Sequence, residues 1–128
     1  MRGALREVRI AALRRAQWQA SLINAMLCQT MAVRRQLRPD VAFTAGLLHD
    51  FGAIVAIASI EEIAADKELP ALPAAIWHQL VETLHVDFGV VIGRRWNLPT
   101  TVIDVIASHH CPDAALRPNR PLVELVLL

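Results

Sequence analysis

Between Leu5 and Leu37 apolar residues recur three and four apart: Leu5, Val8 and Ala12, then Trp18, Leu22 and Met26, then Val33 after Gln29. That spacing follows the 3.6-residue helical turn and predicts one long helix. The arginines fall mostly between these positions, as on a helix with a solvated face. Pro39-Asp40 interrupts the pattern, and Asp40 is placed to cap the helix that follows. Residues 42–49 continue as helix and end or kink near Gly52. The stretch "SIEEIAADKEL" reads as a short surface helix capped by Ser59. After Pro70 and Pro73, "PAAIWHQLVETLHVDFGVVIGRRW" predicts one or two helices, with Gly89 and Gly93 spaced to let another backbone approach. "NLPTTVIDVIASHH" is a further helix with Pro99 in its first turn and Val102, Ile103, Ile106 and His110 along one flank. The last segment, "RPLVELVLL", starts an apolar helix that has no polar ending. Strand alternation and hairpin dipeptides are absent, so the expected fold is all-α, a bundle of about 5–7 helices without a sheet.

At 128 residues the chain is expected to form a single domain over residues 1–128, incomplete at both ends. A hydrophobic content of 55% argues against disorder. A net charge of +1 argues against strong attraction to nucleic acid or to a membrane, although eight of the thirteen Lys and Arg lie in the first 38 residues. Two cysteines without a secretory signal argue against a disulfide framework, and the expected compartment is the cytoplasm. The run from Val41 to Ile60 is about as long as a membrane span, but His49 and Asp50 at its centre favour a buried helix pair.

Within "FTAGLLHDFGAIVAIASI", Phe43 to Ile60, Asp50 is the only formally charged residue. A carboxylate in apolar surroundings needs a cation, several hydrogen-bond donors or a metal. His49-Asp50, His85 and His109-His110 come from three separate predicted helices, so they can converge in the bundle interior. Imidazole with carboxylate suits Zn, Mn or Fe. No H-x-x-x-H pair accompanies them, and each histidine can also be read as a core residue making one hydrogen bond. His78 beside Trp77 is read that way outright, and His109-His110 also suits a helix C-terminus. Glu82 and Asp87 flank His85 and could tune its imidazole, but they read rather as solvated or as paired with Arg94 and Arg95. Arg14-Arg15 and Arg34-Arg35-Arg38 form two basic clusters, read as solvated helix surface, and Cys111 reads as a small filler.

"AFTAGLLHDFGAIVAI" followed by "LHVDFGVVIGRRWNLPTTVIDVIASHHCP" resembles the HDOD domain, a bacterial output domain related to the HD-domain phosphohydrolases. The resemblance runs from about Trp18 to Leu128. It implies a helical bundle and descent from enzymes that bind metal through His and His-Asp ligands. The ligands of those enzymes map onto His49, Asp50, His85, and His109 or His110. The same resemblance shows departures. An earlier His of the catalytic relatives falls on Ala20, the Lys of His-Asp-x-Gly-Lys falls on Ala53, and His109-His110 is followed by Cys111-Pro112 in a chain with no Tyr.

The function expected from these residues is a non-catalytic signalling output or protein-interaction domain in a bacterial pathway. Its partners would be other signalling proteins or domains, or a second copy through the apolar terminal helices, and it would need no cofactor. The alternative is a metal-dependent phosphohydrolase acting on a nucleotide or cyclic dinucleotide, with Mn, Fe or Zn held by His49, Asp50, His85, His109 and His110. Arg34 or Arg35 would then supply the phosphate contact.

Overall fold

A computed structural model describes residues 2–127 of the chain. Among them are six α-helices and one short 3-10 turn, and no strand: α1 Arg2–Arg34, α2 Pro39–Leu48, α3 Gly52–Asp66, α4 Ala74–Arg95, α5 Thr100–Ser108 and α6 Arg120–Val126, with the 3-10 turn at Pro112–Ala114. The all-α bundle matches the expectation from the hydrophobic pattern.

The helix pairs follow from where small residues lie. Ala25, Cys28 and Ala32 on α1 meet Ala42, Ala45 and Gly46 on α2. A Cβ at Gly46 would stand 2.9 Å from the Ala25 Cα and from the Cys28 Sγ, so the two backbones pack too closely for any larger residue. Onto this pair α6 lays Leu122, Val123, Leu125 and Val126, and α5 adds Val105. A second cluster joins Ala53, Ala56 and Ile57 of α3 to Trp77 and Val81 of α4, with Ile10 and Leu13 of α1 at its edge. A third holds Phe51 against Val102 and Ile106 of α5.

The close α1–α2 contact overturns one reading of the pattern. The regular apolar series on α1 does not face the core. Leu5, Val8, Trp18, Leu22, Met26 and Val33 are all exposed, and the inward face from Ser21 to Ala32 is made mainly of the small residues Ser21, Ala25, Cys28 and Ala32, with Ile10 and Leu13 packing inward nearer the N-terminus. Apolar periodicity located the helix correctly, but it cannot tell which of two faces a neighbour will take.

Three local expectations also change. Ser59 caps nothing, because α3 runs unbroken from Gly52 to Asp66 and places it in mid-helix. Asp40 is not the N-cap of α2. That position is Arg38, with Pro39 in the first turn, and Asp40 pairs with the Arg38 guanidinium at 2.7 Å. Cys111 is exposed rather than a core filler, while Cys28 is buried, and both are free thiols. The helix pair does break as expected, at His49–Phe51. Pro39–Asp66 matches a membrane span in length and composition, and in the fold it is two helices divided at that break.

Three helices end in the same way. Gln36, Glu68 and Asn97 have φ of 57°, 50° and 54°. Each is followed by a leucine whose N–H donates back five residues: Leu37 to Ala32, Leu69 to Ala64, and Leu98 to Gly93, at 2.9–3.0 Å. This left-handed closure with an apolar residue after it is the Schellman arrangement, here without the usual glycine.

Candidate metal centre

The centre is assembled by the break between α2 and α3. His49 is the C-cap residue of α2, and Asp50 follows in the turn. One residue after Phe51, Gly52 lies directly on α4. A Cβ there would fall 1.8 Å from the His85 carbonyl oxygen and 2.7 Å from the Gly89 nitrogen. Only glycine permits that approach, and it is what brings Asp50 to His85. Gly89 in turn leaves room for Ile106 of α5, whose Cγ2 a Cβ would meet at 2.7 Å. His109 and His110 then reach the same point from the C-terminal end of α5.

Asp50 Oδ1 lies 3.3 Å from His85 Nε2 and 3.6 Å from His109 Nε2. The two imidazole nitrogens are 3.3 Å apart, and His110 Nε2 is 2.8 Å from His85 Nε2. The other carboxylate oxygen, Oδ2, accepts from Gln17 Nε2 of α1 at 2.9 Å.

Backbone carbonyls fix the histidine tautomers. His85 Nδ1 lies 2.7 Å from the Glu82 carbonyl, His109 Nδ1 is 2.8 Å from that of Ile106, and His49 Nδ1 is 2.9 Å from that of Gly46. A carbonyl only accepts, so each Nδ1 carries an N–H, and in the neutral ring Nε2 then keeps its lone pair. The lone pairs of His85 and His109 therefore face each other and the Asp50 carboxylate. His110 has the freedom to donate Nε2–H to His85, and while the rings of His85 and His109 are neutral no other donor among the described residues serves His109 Nε2 or Asp50 Oδ1. Three acceptors converging at this range call for a positive charge, which a bound cation or a proton on one of the imidazoles would supply. The separations of 3.3, 3.3 and 3.6 Å match the edge of about 3.4 Å for a tetrahedron with metal–ligand bonds of about 2.1 Å. Carbonyls that orient the ligand rings through Nδ1 are the usual outer support of such a site. The donor set thus fits a divalent ion such as Zn, Mn or Fe: His85, His109 and His110 bring ligand nitrogens within 4.8 Å of one another, and Asp50 Oδ1 lies 3.3 and 3.6 Å from the first two. A bound ion would polarise a water or an oxygen ligand there.

Burial alone would raise the Asp50 carboxyl, but the His109 contact, the His49 charge, the Gln17 hydrogen bond and the His85 charge outweigh it and hold it well below the usual range. His49 is pushed down by burial, partly offset by the Gly46 carbonyl and Asp50. His110 is pushed down by burial and then by the neighbouring His109 and His85.

Of the residues singled out from the sequence, Asp50, His85, His109 and His110 come together. His49 stands one ring away, its centroid 5.3 Å from that of His109, with Asn24 of α1 beside its Nδ1. Arg34 and Arg35 lie elsewhere. Both are exposed at the far end of α1, on the order of 15 Å along the helix from Asn24. Glu82 serves His85 through its backbone carbonyl rather than its carboxylate. Gln17 and Asn24 were missed in the sequence, although polar residues seven apart on an uncharged helical stretch mark one face. Ser21 lies between them, buried, and its hydroxyl has no partner among the described residues.

The chain is 36% identical over 95 residues to ribonuclease Y of Thermus thermophilus, covering 74% of this chain and 13% of that protein. It is 33% identical over 89 residues to ribonuclease Y of Deinococcus radiodurans, covering 70% and 12%. An uncharacterized protein of Treponema pallidum is 29% identical over 92 residues, 66% of this chain and 18% of that one. The chain therefore spans less than a fifth of the length of these relatives. No solved structure matches it. The HDOD domain model matches residues 2–112 of the 128, and with the His-Asp turn and the terminal His pair in place, the chain belongs to the HDOD domain family.

Proposed function

We propose that this chain is a non-catalytic HDOD interaction module in which a divalent ion, held by Asp50, His85 and His109, ties together the α2–α3 turn, α4 and α5. The observation that carries this reading is the convergence of two imidazole nitrogens and a carboxylate oxygen within 3.3–3.6 Å, the two rings oriented by backbone carbonyls and the carboxylate by Gln17. The equipment for turnover is thin. Ala20 stands on α1 where the resemblance places a further ligand, and Ala53 stands where it places a lysine. No Lys or Arg is among the side chains bonded to the centre in the described residues, so a phosphate there would have the ion alone as counter-charge.

A second reading, a metal-dependent phosphohydrolase, is favoured by one specific observation. Three protein ligands leave a coordination position for water, as catalytic sites do, and two relatives are named ribonucleases.

Elemental mass spectrometry on protein purified without chelator tests both readings, beside a thermal melt with and without EDTA and an assay on an RNA oligonucleotide and a generic phosphodiester. About one Mn, Fe or Zn per chain, a lower melting temperature with EDTA and no hydrolysis are the expected results. Hydrolysis that disappears in the His109→Ala variant would replace the module with the enzyme. A metal-free protein whose melting is indifferent to EDTA and to added metal would remove the ion from both.

A further inference from the structure

The outward face of α1 carries large apolar side chains that the fold leaves uncovered. Gln17, Ser21, Asn24 and Cys28 point into the bundle, and the opposite face carries Trp18, Leu22, Ile23, Met26, Leu27 and Val33. These six keep between 39% and 65% of their surface exposed. At about half exposure, six side chains of this size present a patch on the order of 600 Å², at the top of the range for a monomer's largest apolar patch. It approaches the roughly 800 Å² per partner of a standard interface.

Charge shows what fits it. Residues 16–33, eighteen in succession, contain no charged side chain. The stretch is bracketed by Arg14-Arg15 at one end and Arg34-Arg35 at the other, all four exposed and none in an ion pair among the described residues. Arg15 and Arg34 lie toward the apolar face and about 28 Å apart along the axis. A second copy of the chain suits this pattern poorly. Antiparallel overlap of the two uncharged stretches sets Arg15 against Arg34 and Arg14 against Arg35 at both ends, and parallel overlap sets each doublet against itself. A bilayer surface suits it no better, because interfacial helices carry their cations along the flank of the apolar stripe and not only at its ends.

We infer that the outer face of α1 is a docking surface for an amphipathic helix of a partner, about five turns long, with carboxylates near both ends to meet Arg14-Arg15 and Arg34-Arg35. The apolar strip supplies the contact area, and the two arginine doublets set its register and exclude basic partners. This surface lies on the opposite side of α1 from the His–Asp centre, so it stands or falls separately from metal binding there.

Two labelled synthetic helical peptides test this. Each has about five turns and a Leu/Ala face. One carries Glu pairs at both ends, the other Lys pairs, and binding to the full chain is followed by fluorescence anisotropy. The Glu-ended peptide is expected to bind about tenfold more tightly than the Lys-ended one, a preference that shrinks as salt is raised. The double variant Ile23→Glu, Met26→Glu should lose binding with its far-UV circular dichroism and melting unchanged, since both side chains are exposed. Arg15→Glu with Arg34→Glu should reverse the preference toward the Lys-ended peptide. Binding of neither peptide, or equal binding of both, overturns the inference. So does light scattering that shows a dimer which Ile23→Glu, Met26→Glu converts to monomer, since a second copy then covers the face. Preferential binding to vesicles of anionic phospholipid, lost in that same variant, would assign the face to a membrane instead.

Discussion

Asp50 and the atoms around it show how little of this site rests on one residue. Its Oδ2 depends on the Gln17 amide, and its Oδ1 faces the two imidazoles. Replacing Gln17 by Leu removes a donor from a carboxylate that is 31% exposed, and about 1–2 kcal/mol of stability should go with it, read from urea denaturation. Ser21→Ala should be neutral within about 0.5 kcal/mol or slightly stabilising, because it deletes a hydroxyl that has no partner among the described residues. The pH dependence follows from the histidines. His49 and His110 are both pushed below their ordinary value, so the folded state holds them neutral while the unfolded state takes up protons first. Their contribution is fully present above the unfolded value of about 6.5 and is lost as pH falls below it. Asp50, held low, loses its contribution only at much more acid pH. A thermal melt in EDTA should therefore drop between about pH 7 and pH 5, with a second fall below about pH 4. A melting temperature flat from pH 7 to pH 5 would show that the histidines are not held neutral.

At the scale of the helices, glycine and the left-handed closures do the positioning. Gly52→Ala drives a methyl group to within 1.8 Å of the His85 carbonyl, so α3 must move away from α4 and carry Asp50 with it. A loss of about 3 kcal/mol or more is expected, with metal uptake reduced alongside, checked by denaturation and elemental analysis. Glu68 supports the opposite prediction. It holds a φ of 50° after α3 with no glycine to ease it, so Glu68→Gly should stabilise the chain by roughly 0.5–1 kcal/mol in the same denaturation experiment. Much at this scale was legible in the sequence: the helices, the break at His49–Phe51, and the close approach at Gly89. Ser59 and Asp40 misled for a shared reason. Both are residues that cap well, but their neighbours continue the helix or already begin it, and a capping residue has no power to stop a helix whose apolar face is buried on both sides. The three closures at Gln36, Glu68 and Asn97 were not legible, because none uses the glycine that announces one.

For the molecule as a whole, the sequence carried the parts of the centre but not its boundary. His-Asp and His-His are visible as words, and their convergence follows once four helices are placed. Arg34 and Arg35 were tied to the site only by charge, and a helix 33 residues long carries them far from it. The outward turn of the α1 apolar series was invisible for the same reason that it matters: small residues took the core face, leaving the large ones for something else. What α1 contributes to the centre is now a question of one position. Ala20 lies three residues from Gln17 and four from Asn24, so it shares the helix side from which both reach the His–Asp turn. If the centre is a metal site that has lost a ligand, Ala20→His returns one without disturbing the core, since Ala20 is exposed. Metal affinity, measured by competition with a chromogenic chelator, should rise about tenfold or more in the variant. The His109→Ala variant should lose that gain. An unchanged affinity in Ala20→His would mean that α1 sits out of reach of the ion and that the three ligands from the turn, α4 and α5 are the whole of its protein shell.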